Sequence, residues 1–345
     1  MKKKVKIGFV NFWTGFDRER FICTRVLRES YDVEIMEKTQ DADYVFFSVF
    51  GDEHFFIPED KIKIFYTGEN FFPDFNTCDY AIGFEWLTLG DRYLRMPNYY
   101  VAPEPHHEKA LSKIENRKTH LLSPEVLHQL AHRDFCSFVV SNANGNPIRK
   151  QLFDHLSKYK KVDSGGRWMN NVGGPVKDKI AFESGHKFAI TCENSSHPGY
   201  STEKIIETFA ANVIPIYWGD PDICKIFNPK AFINVLDFPS LDAVVERVQE
   251  LDSDENAYIS MLKEPPFLYP DLYSAKAQMT VMSNFLNHII EQPSEKAQRY
   301  NRDFWGKRYS EREKRLRKGR LLIKNIFHKM HFSNLIVLFG RLRRC

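Results

Sequence analysis

Residues 188–219 read FAITCENSSHPGYSTEKIIETFAANVIPIYWG. Two apolar runs of β type, Phe188–Cys192 and Val213–Tyr217, frame a polar, turn-rich loop and one short helix. Strand, loop, helix, strand is the repeating unit of a parallel sheet, whose neighbouring strands need a crossover between them. The helix is expected to begin at Ser201 or Thr202, both good N-caps. Ile205, Ile206, Phe209 and Ala210 give it one buried face. Glu203 in the first turn suits the helix dipole; Lys204 does not, by ~0.3–1 kcal/mol. A lysine there is either a solvated surface residue, at little cost, or part of an anion site where backbone N–H groups, dipole and ammonium converge on a phosphate. The stretch alone does not separate the two readings.

The same grammar runs outward in both directions. Val5–Trp13, Tyr44–Phe50, Lys63–Asn70, Tyr80–Phe84 and Tyr93–Pro97 read as strands, and Arg20–Ser30 has helical spacing. Pro103–Arg133 is a polar connector. Beyond it, Phe135–Asn142 reads as a strand, Pro147–Tyr159 as a helix with proline at its start, and Ser240–Ser253 and Tyr273–Gln292 as further helices. A chain of 345 residues exceeds what one core usually takes, so two domains are expected.

Composition narrows the class. The total charge is +4, but Arg302–Cys345 holds 14 Lys/Arg and 3 Asp/Glu, a net of +11 against −7 for the rest. A mildly acidic body argues against a nucleic-acid binder and assigns the anionic partner to the tail. The six cysteines, Cys23, Cys78, Cys136, Cys192, Cys224 and Cys345, show no metal-site spacing and suit a reducing compartment. The connector's His106, His107, His120, His128 and His132 read as surface residues rather than a metal cluster, because the adjacent pair diverges and the others lie far apart. The start MKKKVKIGFVNFW reads as a first strand, not a leader, and no apolar run reaches spanning length.

Ligands of parallel sheets sit beyond the strand carboxyl ends. That rule marks GEN after Lys63–Thr67, SNANGNPIR after Phe135–Val140, ENSSHPGYSTEK after Lys187–Cys192 and WGDPD after Val213–Tyr217. Arg149 lies early in its helix at the same address as Lys204, so two cations stand where a diphosphate could be neutralised without metal. There is no GxxxxGK[ST] and no GxGxxG. Glu203 could accept both hydroxyls of a ribose, and Tyr200 beside Gly199 could lie flat on a base.

These stretches, with FYTGENFFPDFNTCDYAIGFEWLTLGDRYLRMPNYY, CSFVVSNANGNPIRKQLFDHLSKY and FNPKAFINVLDF, resemble the α1,3/4-fucosyltransferases of glycosyltransferase family 10, in particular the bacterial enzymes, across most of residues 60–290. The resemblance implies a GT-B fold: two Rossmann-like α/β domains facing a cleft, here followed by a basic helical tail. It implies an acceptor-binding domain at residues 1–134 and a GDP-fucose-binding domain at 135–300, with the amphipathic tail at 301–345. In its terms Arg149 is the phosphate-binding arginine, Asn194, Tyr200, Glu203 and Lys204 complete the donor site, and Glu69 is the catalytic base, with Asp74 and Glu85 as alternatives. Gly165, Gly166 and Asn170 or Asn171 match the donor-side loop more loosely, and Ser201 stands where valine is frequent.

The expected activity is inverting transfer of L-fucose from GDP-β-L-fucose to a GlcNAc hydroxyl, O3 of N-acetyllactosamine in a Lewis x-type product, on a surface glycan such as lipopolysaccharide. No cofactor is required, although stimulation by Mn2+ or Mg2+ is left open. The expected partners are GDP-fucose, a GlcNAc-containing glycan and, through the tail, an anionic membrane surface at the inner face of the cytoplasmic membrane; nucleic acid is not among them. The competing readings are a GT-B transferase using another nucleotide sugar and a non-catalytic sugar-nucleotide or glycan-binding protein.

Overall fold

The computed structural model describes residues 2–101, 105–117, 122–300 and 304–329. Its first half is a sheet of six parallel strands in the order β2-β1-β3-β4-β5-β6: β1 (Lys4–Val10), β2 (Asp32–Ile35), β3 (Tyr44–Phe47), β4 (Ile62–Tyr66), β5 (Tyr80–Gly83) and β6 (Tyr93–Arg95). The start of the chain is therefore a strand, paired with β3 from Ile7↔Tyr44 to Val10↔Phe47. Helix α1 (Ile22–Ser30) covers this sheet. Helices α2 (Asn98–Val101), α3 (Pro105–Glu115) and α4 (Pro124–Ala131) lead out of it.

The second sheet has five parallel strands in the order β11-β10-β9-β7-β8. In chain order its elements are β7 (Asp134–Phe138), α5 (Ile148–Tyr159), β8 (Val162–Ser164), α6 (Lys179–Glu183), β9 (His186–Cys192), α7 (Glu203–Ala210), β10 (Ile214–Trp218) and β11 (Ile233–Asn234). Every residue of β9 is buried, as a central strand covered on both faces should be. Its neighbours hold it in register from Cys136↔Phe188 on one side to Trp218↔Cys192 on the other. Because β7 has β8 on one side and β9 on the other, the strand order reverses between β7 and β9. This switch point opens a crevice at the carboxyl ends of those two strands.

Packing crosses the border between the halves twice. After α8 (Leu241–Ser253) and α9 (Glu255–Lys263), helix α10 (Ala275–Glu291) returns to the first half, and Met282, Leu286, Ile289 and Ile290 join the core built by β1, β4 and α1. In the other direction Ala110, Leu111 and Ile114 of α3 pack with Ile205, Ile206 and Phe209 of α7. The two sheets are thus one architecture facing a cleft.

After α11 (Ser294–Ala297), α12 (Phe304–Lys329) is helical, as the tail's composition suggests. Its first turns dock on the first half. Lys314 pairs with Glu59 at 3.1 Å, Arg317 with Asp52 at 3.4 Å, and the Tyr309 hydroxyl donates to Asp74 Oδ2 at 3.3 Å. Part of the opposition between basic tail and acidic body is therefore satisfied within the chain. No described helix is long and apolar enough to cross a membrane. The apolar run Leu335–Phe339 lies outside the described residues.

Candidate active site

Arg149 is the centre of the crevice. It lies in the first turn of α5, and its side chain is only 1% exposed. Nη1 donates to Asn194 Oδ1 at 3.2 Å, while Nε and Nη2 are buried without a hydrogen-bond partner. Among the described residues it makes no ion pair with a carboxylate; the Trp168 ring lies 5.6 Å away. Burial pushes the guanidinium down from its ordinary range. A buried charge with two idle donors costs several kcal/mol unless something anionic meets it. The chain passes close over this group: a Cβ on Gly145 would fall 1.7 Å from Arg149 Nη2, so a larger residue there would displace the guanidinium.

Asn194 ties the two strand-end loops together, since its carbonyl also accepts from the Asn146 N–H at 2.9 Å. The loop after β8 closes the far side. Gly166 packs so tightly on Val140 that a Cβ would fall 1.9 Å from its carbonyl oxygen. Asn170 and Asn171 fold that loop, Asn171 Oδ1 accepting from Ser164 N at 2.7 Å and Asn170 Nδ2 donating to Gly166 O at 2.8 Å. Val140, Asn142, Arg149, Lys179, Asn194 and Lys204 are among the residues lining the resulting cavity of ≈ 220 Å³.

Lys204 is in this cavity, but it is not an unpaired cation. Its Nζ lies 3.2 Å from Glu193 Oε2 and 3.1 Å from Glu203 Oε1, and donates to Thr202 Oγ1 at 2.8 Å. Burial opposes the ammonium, yet the two glutamates outweigh it and hold Lys204 well above its usual range. Glu193, fully buried, is the residue that the sequence reading missed. It accepts from the Thr202 N–H at 2.8 Å and the Thr202 hydroxyl at 2.7 Å. The expected side-chain cap is therefore replaced: Thr202 is the N-cap of α7 but caps nothing, because Glu193 binds its hydroxyl. A glutamate directly following a fully buried strand was the available signal, since a buried carboxylate must be partnered. Lys179 is likewise a cavity cation that went unread, held by Glu207 at 2.8 Å and Glu183 at 3.6 Å.

The loop between β9 and α7 closes on the first half. Tyr200 does not offer an open ring face: it is 3% exposed and set edge-on to Phe84 at 5.1 Å. The cause is Gly199, whose φ of +84° turns the chain so closely onto Phe84 that a Cβ would meet its carbonyl oxygen at 2.6 Å. Asp220, beyond β10, fixes the same turn by accepting from Gly199 N at 2.7 Å and Asp222 N at 2.8 Å.

Glu69 is exposed on the loop after β4. Its neighbour Asn70 donates across the cleft to Ser195 Oγ at 2.7 Å, one residue from Asn194. The loop that carries Glu69 thus lies against the loop that carries Asn194, the residue bonded to Arg149. Each of the two alternatives is held by another side chain. Glu85 pairs with His197 at 2.8 Å. Asp74 holds its own turn through Asn76 N at 2.9 Å and accepts from Tyr309.

Comparison with known proteins gives the family. Residues 131–309 match the family described as glycosyltransferase family 10 (fucosyltransferase) C-term, and residues 7–102 match the α-(1,3)-fucosyltransferase FucT N-terminal domain. The chain belongs to glycosyltransferase family 10. An α-(1,3)-fucosyltransferase of Helicobacter pylori is 36% identical over 291 residues, 76% of this chain and 60% of the relative. A human 4-galactosyl-N-acetylglucosaminide 3-α-L-fucosyltransferase is 31% identical over 151 residues, 43% of this chain and 42% of the relative. The chain therefore spans less than two thirds of the length of these family members. Among solved structures, an α1,3-fucosyltransferase superposes with a TM-score of 0.72 at 31% identity, covering 88% of this chain and 94% of that one. An α1,3-fucosyltransferase with GDP-fucose gives 0.68 at 33% identity, covering 83% and 91%. The fold is the GT-B arrangement expected of the family.

Proposed function

We propose that this chain is an inverting α1,3-fucosyltransferase that moves L-fucose from GDP-β-L-fucose to O3 of a GlcNAc residue, in N-acetyllactosamine of a surface glycan such as lipopolysaccharide. The observation that carries the reading is Arg149: a buried guanidinium with two idle donors at a strand switch point of a family 10 domain. A guanidinium fork matches phosphate oxygens. As the bond from fucose C1 to the β-phosphate oxygen breaks, negative charge grows on the phosphate, and Arg149 is placed to stabilise it. The acceptor hydroxyl attacks C1 from the opposite face, its proton passes to the Glu69 carboxylate, and the configuration inverts from β to α. Lys204, already held by Glu193 and Glu203, adds positive potential while leaving the site less charged than two unpaired cations would. Glu203 also remains the candidate for the ribose hydroxyls, and Tyr200 serves by holding the donor loop on Phe84.

The O3 acceptor rests on the names of relatives that share the donor half. Transfer assays with GDP-fucose on type 1 and type 2 disaccharides, followed by linkage analysis, test it; an α1,4 product or transfer only from another nucleotide sugar would overturn it. The proposed location is the inner face of the cytoplasmic membrane, held by α12. Its undocked side presents Phe304 and Trp305, 64% and 71% exposed, with Arg308 over both rings at 5.3 and 5.4 Å. That pairing suits an anionic interface. Co-sedimentation of the full chain with phosphatidylserine but not phosphatidylcholine vesicles is expected; recovery with neither lipid, or equal recovery with both, removes the assignment.

A further inference from the structure

We propose that His128, His132 and Glu255 form a surface site for a divalent transition-metal ion that clips α4 to α9. The connector histidines look scattered in sequence, and three of them, His106, His107 and His120, lie outside the described side chains. The other two are four residues apart on α4 and so share one face. Their ring centroids are 4.0 Å apart. The third ligand comes from 123 residues further on: Glu255 is the first residue of α9, fixed in place because Asp254 caps that helix through the Ala257 N–H at 3.0 Å. The packing that brings the helices together is apolar. Ala131 of α4 and Tyr258 and Leu262 of α9 share one core.

The donor atoms converge. His128 Nδ1 lies 2.9 Å from Glu255 Oε1, and His132 Nε2 lies 3.9 Å from Oε2. All three ligand atoms fall within 4.8 Å of one another. Ligands about 2.0–2.1 Å from a tetrahedral ion stand about 3.3–3.4 Å apart, and the two observed distances straddle that value. His132 Nδ1 is already bonded to the His128 carbonyl at 2.8 Å, which aims Nε2 at the carboxylate in the way outer-shell bonds orient metal ligands. Two imidazoles and one carboxylate suit Zn2+, Ni2+ or Cu2+, not the all-oxygen shells of Mg2+ or Ca2+. Both histidines are exposed, so water completes the coordination. A second grouping, Asp134, Asp163 and His186, is less suited, because Lys161 pairs with Asp163.

None of the residues lining the Arg149 cavity comes from α4 or α9, so the ion is structural. Binding only to the folded chain, it raises the unfolding midpoint. The test uses the full chain, purified without a histidine tag and stripped with EDTA, titrated calorimetrically with ZnCl2 and followed by thermal unfolding. One tight equivalent and a raised midpoint are expected. His128→Ala, His132→Ala and Glu255→Gln should each weaken binding by more than the about 10- to 100-fold that outer-shell changes cause and abolish the shift. His132→Asn keeps a donor near the His128 carbonyl but removes Nε2, and so separates ligand loss from damage to the helix. Unchanged affinity in Glu255→Gln or His132→Asn overturns the site, as does loss of binding on replacing only His106, His107 and His120.

Discussion

Arg149→Met should bind GDP far more weakly and yet fold more stably. The substitution keeps an apolar stem of similar length and removes the charge. In the native chain two of the guanidinium's nitrogens have no partner. If both donate to phosphate oxygens, each charge-assisted bond contributes about 1.5–3 kcal/mol. Their joint loss is then about 3–6 kcal/mol, or roughly 10²- to 10⁴-fold in Kd. Without ligand the same group is a buried charge with no carboxylate beside it. Replacing buried ionic groups by apolar ones of similar volume is often neutral or stabilising by about 1–4 kcal/mol. The two effects have opposite sign, which a merely structural arginine would not show. Calorimetry with GDP measures the first, and urea unfolding without nucleotide measures the second. A variant that binds GDP within about threefold of wild type, or that loses more than about 1 kcal/mol of stability in the absence of GDP, would refute the assignment of Arg149 to the diphosphate.

Two further outcomes follow from the same geometry. Glu69→Gln should leave GDP affinity unchanged and lower kcat by roughly 10²- to 10⁴-fold, the range for a general base; wild-type turnover in a transfer assay would remove Glu69 from the chemistry. Asp220 sets a pH dependence. Burial raises its carboxyl from 3.8 to about 6, so between those values the folded chain holds a proton that the unfolded chain has lost. Its contribution to stability therefore falls as pH rises through that window, by up to about 3 kcal/mol. Asp220→Asn can still accept from Gly199 and Asp222. The stability difference between variant and wild type, measured by urea unfolding at pH 4.5 and pH 7.5, should shift in the variant's favour at the higher pH. A constant difference would show that the buried carboxylate carries no such cost.

How much of this was legible from residues follows the range of the interactions. The strand ends expected at Thr67, Val140 and Cys192, observed at Tyr66, Phe138 and Cys192, and the helix starts near Arg149 and Lys204, were readable because period and turn chemistry are local. The sheet order was not readable in itself, but the rule that ligands lie beyond strand carboxyl ends needs no strand order. What local reading lost was partnership. Lys204 looked like a misplaced cation because Glu193 is separated from it by a whole loop and stands at the foot of a strand. Tyr200 looked available because nothing local reveals that Phe84, from the other domain, occupies its side. The basic tail looked unpartnered because Asp52 and Glu59 lie some 250 residues before it.

The correction to Lys204 alters the electrostatic picture of the site more than its membership. Two unpaired cations in a cavity of ≈ 220 Å³ would bind any diphosphate strongly and release the product GDP as reluctantly. With Lys204 and Lys179 each held by two glutamates, Arg149 is left as the cation whose partner must come from the ligand. In the proposed transfer its interaction grows as charge moves onto the leaving phosphate, whereas the lysines' charge is already balanced. That division favours the transition state over the ground state, which is the requirement for rate. It also explains why one of the two carboxylates that balance Lys204 stands buried directly after β9. From there Glu193 holds the ammonium and the start of α7 together, so the loop from Asn194 to Ser201 can close on the first domain without carrying the charge balance of the site with it.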